Sequence, residues 1–239
     1  MNSLLRNIVS ASLAALSLLV ASSCGNDIPS TPLWEESFGN HRLDLVVDSP
    51  SEAVLLDYDW RRHDRNIDNV MFLIVNAETG DTVRNIRRDI VTDERVSLVF
   101  GPVDKAGEYH FYYLPFKVLA GFGDNPGSYL PVESAPSEEW LSKIPEDIPV
   151  AKVTGYEART PFDTFYPMEF IAKKSEKEAY AATSDRPWLV FPEDREHPAR
   201  MMDNIPERWL SIPQGQGFEG TARPNEYYAF QIAVWASKA

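Results

Sequence analysis

The chain has 239 residues, room for one large β domain or two small ones, and its 44% apolar and 25% charged residues belong to a folded chain rather than a disordered one. Its net charge of −13 at pH 7 argues against a nucleic-acid partner, whose phosphates it would repel. Eighteen prolines, twelve glycines and 12% aromatic residues favour strands and loops over a helical bundle.

Residues 1–23 read as an export signal. Arg6 gives the positive start, Ile8 to Val20 the short apolar run, and Ala21-Ser22-Ser23 the small residues before Cys24. Leu19-Val-Ala-Ser-Ser-Cys24 resembles a bacterial lipobox, which predicts a mature N-terminus lipidated on Cys24 and anchored to an outer membrane, at its periplasmic face or the cell surface. The alternative is an ordinary secretory signal. Cys24 is the only cysteine, so no disulfide is available and stability must come from core burial. Residues 24–36 read as a flexible tether and 37–239 as the folded domain.

From Arg42 onward the apolar period is two. Leu43, Leu45 and Val47 alternate with polar neighbours, as do Val54, Leu56, Tyr58 and Trp60. Val70 to Val75 is a continuous apolar run closed by the hairpin signal Ala77-Glu-Thr-Gly-Asp81. Val96, Leu98 and Phe100 alternate up to Gly101-Pro102, and Tyr109, Phe111 and Tyr113 share one face of the next strand. Strands spaced this way by turn residues predict an antiparallel β-sandwich.

A Pro/Gly-rich excursion over 118–149 interrupts them, with one helical turn expected at Ser137–Ile144. Strands are expected to resume at Val150–Arg159 and Met168–Ala172. Ser175-Glu-Lys-Glu178 reads as a capping box opening a short helix to about Ala182. Trp188–Phe191 reads as a strand, and Phe218–Ala222 pairs in expectation with a last strand over Glu226–Trp235. That strand is apolar on both faces, the pattern of a strand buried on both, and this predicts a covering element beyond it.

Catalytic machinery is not visible. The four histidines are scattered without metal-ligand spacing, and serine elbows, phosphate loops and dinucleotide fingerprints are absent. Neither a cofactor nor a metal is expected. Asp57, Asp59, Asp64 and Asp68 lack the glycine and terminal Glu of a calcium loop, and a salt-bridged edge is the plainer account. Glycosidase chemistry needs two carboxyl groups about 5–10 Å apart across a sugar, or one acid with a substrate amide. Thirty-six acidic residues make adjacent pairs such as Asp93-Glu94 and Glu193-Asp194 inevitable; the first falls between two strands, where turns and solvent explain it.

The densest signatures combine aromatics, arginines and carboxylates at strand ends: Trp60, Arg61, Arg62 and Asp64 in one, Glu193, Asp194, Arg195 and Arg200 in the other. These groups can stack on and hydrogen-bond a sugar or a neighbouring domain; they can equally form an internal network that pins two loops.

Ser37-Phe-Gly-Asn-His-Arg42, Trp60-Arg-Arg-His-Asp64, Glu108-Tyr-His-Phe-Tyr-Tyr-Leu-Pro115, Phe165-Tyr-Pro-Met-Glu169, Phe191-Pro-Glu-Asp-Arg195 and Glu226-Tyr-Tyr-Ala-Phe-Gln231 occur in that order. Together they resemble the N-terminal domain of glycoside hydrolase family 123-like proteins, over about residues 36–237. The resemblance implies a β-sandwich preceding a (β/α)₈ barrel. In that family the barrel hydrolyses terminal β-linked N-acetylgalactosamine with an adjacent Asp-Glu pair: the Asp orients the substrate acetamide and the Glu protonates the leaving group. No barrel follows in this sequence, so those roles do not transfer to Asp93-Glu94. Three readings result. One is a non-catalytic accessory domain that partners a following barrel or a separate catalytic chain. The second is a free-standing surface lipoprotein that binds N-acetylhexosamine-containing glycans. The third is a cryptic enzyme using Asp93-Glu94 or Glu193-Asp194.

Overall fold

The structure, a computed structural model, describes residues 34–64, 66–117, 128–163 and 167–238. The expected export signal, Cys24 and most of the expected tether lie outside the described residues, as do residues 118–127 of the excursion.

Chain order is β1 (His41–Val47), β2 (Val54–Asp59), β3 (Leu73–Asn76), β4 (Thr82–Val83), β5 (Asn85–Val91), β6 (Arg95–Gly101), β7 (Gly107–Tyr112), β8 (Phe116–Lys117), β9 (Ser128–Tyr129), α1 (Glu138–Leu141), β10 (Lys152–Ala158), α2 (Lys174–Ala182), β11 (Trp188–Glu193) and β12 (Gln231–Ala236). Five strands form one antiparallel sheet in the order β10-β1-β7-β3-β4, and three form a second in the order β2-β6-β5. The predicted alternation places Leu43, Leu45, Ile74 and Phe111 of the first sheet against Val54, Leu56, Leu98 and Phe100 of the second, all fully buried. Each such side chain contributes about 1.5–3 kcal/mol through burial, so this interface supplies the stability that no disulfide can. The mainly β, antiparallel architecture with two short helices is the one expected from the sequence.

The outer face of the three-stranded sheet is covered by the strap around α1. The Ser137 hydroxyl caps α1 by accepting the Trp140 N–H, and the Trp140 indole packs on Ala53 and Val99 while donating to the Glu52 carbonyl at 2.7 Å. Gly101 is needed beneath it: a Cβ there would lie 2.2 Å from the Glu52 carbonyl oxygen.

Residues 167–238 build a second apolar cluster beside the sandwich. Met168, Ala172, Leu189, Phe191, Ile205 and Trp209 form it, with Phe191 and Trp209 stacked at 4.4 Å. Three expectations are corrected in this region. Met168–Ala172 is not a strand; a 3₁₀ turn spans Pro167–Glu169, and only an isolated bridge joins Ile171 to Pro206. The helix begins two residues earlier than the Ser175 box implies and its N-cap is Lys173, whose N–H donates to Glu176 at 2.8 Å, so Ser175 and Glu178 do not form the box. The last strand starts at Gln231, not Glu226, and pairs with β11 rather than with Phe218–Ala222.

Candidate interaction surface

Trp60 and Arg62 point inward. The period-two alternation of β2 continues one step past its end and seats Trp60 against Phe72 and Tyr113, 3% exposed, its indole donating to the Thr92 carbonyl at 2.6 Å. Arg62 is buried as well. Its Nε donates to Asp64 at 2.6 Å, and its Nη1 donates to the Tyr156 hydroxyl at 2.7 Å, the Tyr113 hydroxyl at 3.2 Å and His41 Nδ1 at 3.3 Å. Burial opposes the charge, but Tyr113, Asp64 and Tyr156 outweigh it and hold the guanidinium protonated. The same charge, together with burial as the larger cause, lowers the pKa of His41, whose Nε2 meets the Asp163 carbonyl at 2.7 Å.

Arg61 points the other way, across the seam to residues 167–238. It forks onto Glu176 with both nitrogens at 2.7 Å, donates to the Ile171 carbonyl at 3.1 Å and lies 3.3 Å from Glu207. The acidic edge is salt-bridged: Asp57 pairs with Arg95 and Asp59 with Lys173. The Trp60–Asp64 segment therefore forms part of the core and the seam.

The second signature divides in the same way. Glu193 is buried and accepts the Trp209 indole N–H at 2.8 Å, with Arg208 Nε 3.7 Å away. Asp194 closes the following turn by accepting the N–H groups of Glu196 and His197. Arg195 pairs with Glu226 over the Tyr228 ring, and Arg200 reaches Glu169 at 3.3 Å; both arginines are half-exposed. Among the described residues two carboxylate–histidine groups have donor atoms close enough for a metal ion, Asp44 with Glu108 and His110, and Glu193 with Asp194 and His197. In both, internal hydrogen bonds already engage carboxylate oxygens, as in Asp44 with His110 at 2.9 Å.

Among the described residues, one open apolar surface is the β11–β12 ribbon. Leu189, Phe191, Ala233 and Trp235 face the second cluster. On the opposite face Trp188 is 47% exposed, Ile232 61% and Val234 66%, with Val190 beside them and directly opposite Val234 in the ladder. An apolar face standing in solvent on a ribbon whose other face is packed is a candidate interaction surface. The sequence carried the signal, apolar residues at both parities of the strand, but that pattern reads equally as a strand covered on both sides. Among the described residues no helix is long and apolar enough to cross a membrane.

The signature arginines and carboxylates of this sandwich mostly join its own parts, and one apolar ribbon face is left open. The sequence places it in a family that fits: residues 32–159 match the N-terminal domain of glycoside hydrolase 123, over half the chain, and the protein belongs to that family as a glycoside hydrolase-associated domain. No curated protein and no solved structure matches the chain. The match ends one residue after β10, so it covers the sandwich, while Phe191–Arg195, Glu226–Gln231 and the ribbon lie beyond it.

Proposed function

We propose that this chain is the non-catalytic accessory domain of a family 123-like glycosidase of the N-acetyl-β-galactosaminidase class. It is exported and lipid-anchored through Cys24, and it docks a (β/α)₈ catalytic barrel that follows it or is supplied as a separate chain. The observation that carries this reading is the open ribbon face of Trp188, Val190, Ile232 and Val234. Covering these side chains would contribute on the order of 1 kcal/mol each, a gain available only to a partner. The signature residues support a scaffold role, because Trp60, Arg62 and Glu193 are enclosed.

The test is affinity for a glycoside hydrolase 123 catalytic barrel, measured with the purified chain. Val190→Asp and Ile232→Asp each place a charge on the docking face and should weaken binding at least about tenfold. A barrel that binds both variants as well as the parent, or does not bind the parent, removes the reading.

A second reading, a glycan-binding surface lipoprotein, is favoured by one feature. Tyr227 is fully exposed beside Tyr228, Phe218 and Phe230, where Phe218 stacks on Phe230 at 5.0 Å and Arg195 covers Tyr228. Retention on immobilised N-acetylhexosamine oligosaccharides that is lost with Tyr227→Ala would decide for it.

A further inference from the structure

Among the described residues the two outer edges of the ribbon pair with no other strand, and they differ. The register pairs Leu189 with Trp235, Phe191 with Ala233 and Glu193 with Gln231, and the Ser237 N–H donates to the Pro187 carbonyl at 3.0 Å. Bonded and non-bonded pairs alternate along an antiparallel ladder. The residues that exchange bonds with β11 are therefore Gln231, Ala233 and Trp235, and the backbone groups of Ile232, Val234 and Ala236 point to the outer edge. By the same count Trp188, Val190 and Pro192 hold the outer edge of β11. Pro192 has no N–H and blunts it, a common protection against unwanted strand pairing. β12 has no proline and no charged residue from Gln231 to Ala236. Among the described residues its outer edge pairs with nothing.

A groove of about 620 Å³ follows that edge. All six residues of β12 line it, together with Met201 to Asn204, the buried Ile205 and Trp209, and Lys177. Six consecutive strand residues can line one groove only if it runs along the strand's edge, since successive side chains point to opposite faces.

The geometry points to β12 as the acceptor of a third strand: an extended, uncharged peptide segment with apolar residues at alternate positions. Its backbone completes the ladder on Ile232 and Val234, and its inward side chains fill the groove over Ile205 and Trp209. The free donors and acceptors recur every two residues, about 6.8 Å, the repeat of an extended polypeptide. The source of the strand, the catalytic polypeptide, rests on the function proposed above; the edge pairing does not.

The test uses the whole chain with a fluorescein-labelled, acetylated hexapeptide of alternating threonine and valine, and with a proline-interrupted version as control. Binding of the first alone, with amide exchange at Val234 slowed at least about tenfold, is expected. Val234→Pro deletes only an outward N–H and should weaken binding about tenfold, while Val234→Ala, which keeps that N–H, should not. Absence of peptide binding, binding indifferent to Val234→Pro, or a Val234 amide already protected in the free chain would each overturn the proposal. The two readings also separate with the barrel as ligand. A barrel repelled by Ile232→Asp but indifferent to Val234→Pro sinks strand addition and keeps docking, whereas a peptide that binds where no barrel does keeps strand addition and sinks docking.

Discussion

Arg61 and Glu176 meet as two parallel hydrogen bonds, both 2.7 Å, between the segment that follows β2 and the first turn of α2. The same carboxylate accepts the Lys173 N–H at the helix N-terminus, so one side chain caps α2 and ties it to the sandwich. Hydrogen bonding from Arg61 is the main reason the Glu176 pKa falls to about 2. A depressed carboxylate contributes stability that is present above its unfolded pKa and lost as pH falls through its folded one. Arg61→Ala should destabilise residues 167–238 by about 1–2 kcal/mol at pH 7, a figure discounted because the carboxylate is partly in water. Urea unfolding of parent and variant checks this: their difference should shrink between pH 4.5 and about 2, and a gap constant over that window would be inconsistent with the coupling.

Asp64 is the only acid in ion-pair contact with the buried Arg62 among the described residues, with Nη2 at 2.5 Å. Removing one partner of a buried pair leaves the other uncompensated, so Asp64→Ala should cost about 2–4 kcal/mol. Arg62→Lys should fail to rescue the network, since an ammonium cannot reach Asp64 and Tyr156 from one plane. Thermal melts of both variants measure this; a loss under about 0.5 kcal/mol would mean that solvent already shares the pair.

Much of the sandwich was legible because a two-residue period is local. Leu43, Leu45 and Val47 announce their face within five residues, and Ser137 announces α1 by its position before Glu138. The ribbon was harder. β11 and β12 lie about forty residues apart in the chain, so nearby Phe218–Ala222 looked the natural partner, and no local pattern reports a pairing across that distance. Met168, Ile171 and Ala172 are buried as an apolar run implies, but they reach the core from a 3₁₀ turn begun by Pro167. Trp60 and Arg62 carried an ambiguous chemistry: an aromatic beside arginines serves a sugar or a core network equally well. The alternation from Val54 through Trp60 already placed the indole inward. Glu176, one of the residues that join the two parts, is one of many surface acids until the fold brings Arg61 to it.

His41 predicts an acid-sensitive sandwich. Burial first, and the Arg62 guanidinium second, push its pKa below the usual 6.5, while the Asp163 carbonyl and the Asp64 and Asp163 carboxylates pull the other way without prevailing. The folded state thus holds a neutral ring with Nε2–H toward Asp163 and Nδ1 accepting from Arg62. The unfolded chain takes up a proton near pH 6.5 that the fold resists, so stability contributed by this site is full above 6.5 and declines below it. His41→Gln can mimic both hydrogen bonds without titrating. Its stability profile from pH 7 to 5 should be flatter than that of the parent, and parallel profiles would assign the acid sensitivity elsewhere.

Cys24→Ser tests the anchor apart from the fold. The apolar run, the small residues and the single cysteine coincide at one position, and two or three acyl chains at about 0.8 kcal/mol per buried methylene hold a protein firmly on a membrane. In the native host the variant should move from the membrane fraction to the soluble one. A parent chain recovered soluble, with an unmodified thiol at Cys24, would remove the anchor.

Asp93 and Glu94 resemble a glycosidase pair in sequence, and their surroundings give them other work. They sit in the turn between β5 and β6, where the Asp93 carbonyl accepts the Arg62 N–H at 2.9 Å and the Glu94 carbonyl accepts the Trp60 N–H at 3.1 Å. The Glu94 carboxylate accepts the Lys174 N–H at 2.5 Å, at the start of α2, where a negative charge also complements the helix dipole. Glycoside hydrolysis needs carboxyl groups flanking a bound sugar, or an acid beside a substrate amide that acts as nucleophile. A carboxylate held against a helix terminus answers a structural demand instead. Glu94→Ala should therefore cost about 0.5–1 kcal/mol of stability and change no turnover. The purified chain should release no phenol from an aryl N-acetyl-β-galactosaminide, and hydrolysis abolished by Asp93→Asn or Glu94→Ala would establish a catalytic role that this geometry does not support.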